Sequence, residues 1–126
     1  MTMKMVEWIL RIGVFLTFLG HGSFALMVRP DWVVYLTTVG FSIEQARMVM
    51  PWIGGLDMVI AVTVLLYPVR VVVLWAVIWT FSTALIRPLS GLSWLEFVER
   101  GANWAAPLAL LLLKDRPRSF KEWFKK

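Results

Sequence analysis

The chain has 126 residues, 60% apolar by type and only 17% charged, and a mean hydropathy of +0.74. These values lie far from those of a water-soluble domain, and the length leaves no room for a membrane anchor plus a separate folded domain. Thirteen Lys and Arg stand against eight Asp and Glu, for a net charge of +5. Residues 114–126 hold six of the bases and two of the acids, so +4 sits in the last thirteen positions. Beside an apolar span, a basic end orients a membrane protein, and nucleic acid is discounted as a partner despite the pI near 10.1. The absence of cysteine excludes disulfides, thiolate metal sites and cysteine nucleophiles.

Four hydrophobic segments follow in order, Met5 to Val28, Pro51 to Tyr67, Val69 to Ile86 and Leu95 to Leu113. Each is near the roughly 20 residues that a helix needs to cross about 30 Å of hydrocarbon. The first has no small-residue cleavage pattern and carries Arg11 and His21, so it reads as a retained span. Arg29-Pro30-Asp31 reads as a stop, and Trp32 and Tyr35 as rings at the headgroup level. Ser42-Ile43-Glu44-Gln45 has the spacing of a capping box. It predicts a second helix that starts near Ile43 and runs through Pro51 with a kink.

The second and third spans join tightly at Tyr67-Pro68, and Arg87 to Ser93 is a turn-rich loop. Ser119 to Glu122 repeats the capping-box spacing and predicts a short basic helix, with Phe120, Trp123 and Phe124 on one face as a membrane-surface anchor. The expected architecture is all-α: a polytopic membrane protein with four transmembrane helices in an up-down bundle over residues 1–113, then an amphipathic tail over 114–126. Counting Lys4, Arg70 and the tail bases against Arg29, Arg47, Arg87 and Arg100 puts both termini in the cytoplasm, as for a protein of a bacterial inner membrane. Trp8 and Trp123 then mark the inner interface and Trp32, Trp52 and Trp94 the outer one, with Trp75, Trp79 and Trp104 as deeper packing residues.

Ionisable groups inside spans are costly and face the bundle interior or a hydrated cavity. At about 100° per residue, Glu7, Arg11 and His21 share a face of the first helix, and Glu96, Arg100, Asn103 and Pro107 one of the fourth. Glu7 with Arg11 and Glu96 with Arg100 are i,i+4 pairs and read as structural ion pairs. Gly54, Asp57 and Ala61 form a small-residue face, as do Ala76, Thr80, Thr83 and Arg87. Alternating topology gathers His21, Asp57, Thr83, Arg87, Glu96, Glu99, Arg100 and Asn103 in the outer half. Asp57 has no base in reach on its own helix, so His21 or Arg100 is its expected partner. Gly13, Gly20 and Gly22 read as close-packing positions, and a metal or haem site has no support in one histidine and no cysteine.

The segments LRIGVFLTFLGHGSFAL, PWIGGLDMVIAVTVLL and FVERGANWAAPLALLLL together resemble the DoxX-like family of small four-helix membrane proteins, over roughly Leu10 to Leu113. Arg11, Gly13, Gly20, Gly54, Arg100 and Asn103 match the family pattern, as does Asp57, where many members carry glutamate. The resemblance implies the fold more firmly than the chemistry, because the family includes subunits of thiosulfate-to-quinone electron transfer and members without assigned activity.

Two functions follow as expectations. The first is a non-catalytic accessory subunit of a larger electron-transfer or energy-converting complex, in contact with lipid and with other membrane subunits. The alternative is a pocket in the outer half of the bundle for a quinone or other small amphipathic molecule, formed by His21, Asp57, Arg100 and Asn103. The alternative makes the chain a membrane subunit of an oxidoreductase, and on its own the chain is not expected to be an enzyme.

Overall fold

The computed structural model describes residues 2–114 and 117–126; Asp115 and Arg116 of the basic tail lie outside them. The described chain is helical, with α1 over Met3–Leu26, α2 over Pro30–Thr38, α3 over Ile43–Leu66, α4 over Arg70–Leu89, α5 over Leu95–Val98 and α6 over Gly101–Leu112. A 3-10 turn over Phe120–Phe124 closes it. At 1.5 Å per residue, α1 and α3 are each about 36 Å long and α4 about 30 Å. These three are long and apolar enough to cross a membrane. α6 spans about 18 Å and falls short by itself.

Local chemistry sets the boundaries. The Thr2 hydroxyl accepts from the Met5 N–H at the start of α1. At α3 the capping box expected from sequence is complete: the Gln45 N–H donates to Ser42 Oγ at 3.1 Å, and the Ser42 N–H donates to Gln45 Oε1 at 3.0 Å. Such a cap contributes about 1 kcal/mol. α3 passes through Pro51 as one helix. α1 ends in a Schellman-type turn in which the Arg29 N–H donates to the Phe24 carbonyl, and Val28 takes the left-handed position at φ +51°. A valine there is strained, since its Cβ crowds the following carbonyl.

The α3–α4 turn has a less obvious construction. Pro68 has no N–H to donate to the Val64 carbonyl, and the Val69 N–H turns to Tyr67 O at 2.7 Å rather than to Leu65 O. Arg11 of α1 supplies both missing donors, Nε to Val64 O at 3.3 Å and Nη2 to Leu65 O. Its guanidinium also lies 3.9 Å from the Trp8 ring centroid and 3.8 Å from Glu7. The predicted Glu7–Arg11 pair therefore exists, but the carbonyls at the end of α3 are the closer partners of Arg11.

α1 packs chiefly on α3, and α6 on α4 and α1. The core holds Val14, Phe18, Ile60, Ala61, Val64, Val73, Ala76 and Leu110. α1 and α3 cross at Gly22 and Gly54: a Cβ on Gly54 would stand 2.8 Å from Gly22 O and 2.8 Å from Leu26 N. Gly22 and Gly54 are thus the close-approach positions, whereas a Cβ on Gly13 or Gly20 meets nothing within 4 Å.

Three expectations change. The fourth hydrophobic segment is broken at Glu99 and Arg100, where the Arg100 backbone leaves the helical region at φ −94° and ψ 15° and its guanidinium turns back onto the Glu96 carbonyl. The Pro30 stretch is a helix with proline in its first turn, where a missing N–H is harmless. The tail forms a 3-10 turn without a capping box, because the Glu122 carboxylate accepts from the Arg118 N–H and Ser119 makes no side-chain cap. Phe120 and Phe124 are exposed and Trp123 is half-buried.

The tail docks on the start of α4. The Arg70 N–H donates to Lys125 O at 3.0 Å, Arg70 Nη1 donates to Glu122 O at 3.0 Å, and Lys126 Nζ lies 4.9 Å from the Tyr67 ring centroid. Lys114 at the end of α6 is 3.8 Å from Glu7. Both chain ends therefore gather at one end of the molecule, with the α3–α4 turn.

Candidate functional site

α3 and α4 follow one another in sequence but share little contact, since each has its main neighbour elsewhere. Between them and α1, toward the end opposite the chain termini, lies a cavity of 340 Å3 covered by α2. It is lined by Thr17, Phe18 and His21 of α1, Trp32 and Tyr35 of α2, Asp57 of α3, and Trp79, Thr80, Thr83 and Arg87 of α4. A wider groove of 890 Å3 adjoins it, shares Thr17, His21, Trp32, Tyr35 and Arg87, and extends to Arg29, Glu96, Glu99, Arg100 and Asn103. The volume and mostly apolar wall of the inner chamber are those of a small-molecule site.

Asp57 reaches the chamber from the glycine crossing of α1 and α3. It is only 3% exposed, and its Oδ1 is buried without a hydrogen-bond partner among the described residues. The expected partnership with His21 or Arg100 does not form, for a visible reason in each case. His21 Nδ1–H donates to Thr17 O at 2.8 Å, and its ring stacks on Trp32 at 5.6 Å. Arg100 Nη1 is held by Glu96 at 2.8 Å and by Glu99 at 2.7 Å. A buried carboxyl with a bare oxygen is costly in an apolar chamber and calls for a ligand group or water to meet it.

The wall hydroxyls spend their protons on their own helices: Thr17 on Gly13 O at 3.0 Å, Thr80 on Ala76 O at 2.6 Å and Thr83 on Thr80 O at 3.0 Å. Facing inward they remain acceptors. The Nδ1 bond of His21 fixes that nitrogen as the protonated one and leaves Nε2 free. Arg87 supplies the strongest donors. It is 3% exposed, gives Nη1 to Thr83 O, and has its guanidinium carbon 5.1 Å from the Tyr35 ring centroid and 5.8 Å from that of Trp32.

Of the four residues read from sequence as ligand candidates, His21 and Asp57 line the chamber, while Arg100 and Asn103 line the outer groove. Glu96 pairs with Arg100 as expected, and Glu99 joins them. Sequence reasoning placed Arg87 in the outer polar cluster without making it a ligand candidate, and placed Trp32 and Tyr35 at the lipid headgroups. Both rings line the cavity. Their i,i+3 spacing puts them on one face of a helix, a signal hidden by reading Pro30 as a stop. Among the described residues no three His, Asp or Glu side chains converge as metal ligands. No protein-family model matches the chain, and neither a curated protein nor a solved structure matches it.

Proposed function

We propose that the chain is a DoxX-like integral membrane protein that holds a small amphipathic molecule in the chamber between α1, α2, α3 and α4. In this reading α5 and α6 together complete a fourth crossing, and the end carrying Lys4, Arg70 and the tail bases faces the cytoplasm of a bacterial cell. The apolar body of the ligand fills the chamber, and a hydrogen-bond donor on it meets the Asp57 oxygen, as the hydroxyl of a quinol would. The observation that carries the proposal is the unpartnered Asp57 oxygen inside a cavity of 340 Å3. The bare Asp57 oxygen favours this reading over that of a purely structural accessory subunit, and association with a larger electron-transfer complex is compatible with both.

Native mass spectrometry of protein extracted gently from its membrane tests this. A retained small molecule is expected, lost when Thr83→Phe places a ring in the chamber and weakened by Asp57→Asn. Retention unchanged in both variants would refute the proposal.

A further inference from the structure

We infer that the neck between the chamber and the outer groove is an anion site, in which Arg87 binds the carboxylate or phosphate head of a single-chain amphiphile. The inference rests on the chamber reading above and names the chemical class of its ligand. It adds an acidic head at the neck to the donor group that meets Asp57 deeper in the chamber, and laurate probes the head alone.

The argument starts from charge pairing at the outer end. Three arginines and three acids surround the groove, and two of the arginines are taken: Arg29 lies 3.9 Å from Asp31, and Arg100 holds both Glu96 and Glu99. Among the described residues Arg87 has no carboxylate within 4 Å, although it is the most deeply buried of the three. The Arg100 cluster has one spare negative charge, but the Glu99 side chain is 64% exposed and its field is screened by water and salt. A guanidinium carries five donors, and Arg87 uses one of them on Thr83 O. The chamber's threonine protons go to their own helices, and Arg87 is the one cationic side chain on its wall among the described residues, so it is the charged donor for an incoming head.

Position supports the same conclusion. Arg87 lines both spaces, so a head bound there leaves its chain directed into the apolar chamber. The planar fork of arginine matches a carboxylate or phosphate in two parallel bonds. The Trp32 and Tyr35 rings hold the guanidinium at the neck without neutralising it, because a ring face carries no net charge.

The test uses delipidated full-length protein in detergent, mixed with laurate, methyl laurate or phosphatidylglycerol and read by native mass spectrometry. One copy of laurate is expected to be retained on the order of tenfold or more better than its methyl ester, the difference that a charge-assisted hydrogen-bond pair makes. Arg87→Gln is expected to bring laurate down to the level of the ester, and Arg87→Lys to keep part of the preference. Phosphatidylglycerol retained in place of laurate, with the same dependence on Arg87, supports the site with a membrane lipid as the source of the anion. Equal retention of laurate and methyl laurate by the unaltered protein would overturn the inference without need of a variant, and so would laurate binding indifferent to Arg87→Gln. Retention of the ester equal to that of laurate, with both lost in Thr83→Phe, would overturn the anion site while keeping the chamber; probes indifferent to Thr83→Phe would remove the chamber itself.

Discussion

Adding one methyl group at Gly54 separates steric from intrinsic effects on helix stability. Its Cβ would lie 2.8 Å from Gly22 O, 2.8 Å from Leu26 N and 2.8 Å from Leu26 Cγ. Two of these three atoms are backbone, so relief requires α1 and α3 to move apart. Overpacking of this kind costs about 1–3 kcal/mol, against a gain of about 1 kcal/mol from replacing glycine by alanine in a helix. Gly54→Ala is therefore expected to destabilise the protein by up to about 2 kcal/mol, at most a roughly thirtyfold shift in the folded to unfolded ratio. Gly55 is the control on the same helix: its Cβ meets nothing within 4 Å, so Gly55→Ala is expected to be neutral or stabilising. Reversible unfolding in mixed micelles with increasing denaturing detergent measures both variants. Asp57 follows Gly54 by less than one turn, so the wedge should also weaken ligand retention. Gly54→Ala as stable as Gly55→Ala would refute the close crossing of α1 and α3.

Three other perturbations address separate parts of the fold. Arg11→Met leaves the Val64 and Leu65 carbonyls without their donors and is expected to cost about 2–4 kcal/mol; Pro68→Ala restores one N–H and should recover part of it, a non-additivity that the same unfolding assay detects. Val28→Gly relieves a left-handed valine and is expected to stabilise by about 0.5–1 kcal/mol, with a loss of thermal stability as the contrary result. Arg70→Gln removes the donor to Glu122 O while leaving the backbone bond to Lys125. Limited trypsin digestion should then cut at Lys121 faster, and an unchanged rate would mean that the tail is not held by Arg70.

Much of this architecture was legible before any coordinates. The Ser42 capping box, the helix that continues through Pro51 and the tight Pro68 turn each follow from interactions within four residues, which is the range over which sequence dictates structure most directly. The inward placement of His21 and Asp57 followed from helical phase and the cost of burying polar groups. What escaped were relations across helices. The run from Leu95 to Leu113 reads as one span only if the cluster Glu96, Glu99, Arg100 is taken as the polar face of a continuous helix, whereas the helix breaks at that cluster and Arg100 folds back onto Glu96 and Glu99. Arg87 could not be told from any other helix-end arginine until Glu96 and Glu99 were seen to be engaged with Arg100 and α2 was seen to cover it. Likewise, nothing in the spacing of Arg11 and Pro68 announces that one completes the turn made by the other.

That last contact bears on how the protein is made. In the order of synthesis α1 emerges first, and Arg11 meets its partners only when α3, the turn and the start of α4 have followed. A hairpin of α3 and α4 alone leaves these two carbonyls to water at the membrane surface, where the basic end lies in the reading above, until Arg11 takes its place. The turn therefore reaches its final hydrogen bonding only against α1, which also supplies Thr17, Phe18 and His21 to the wall of the chamber.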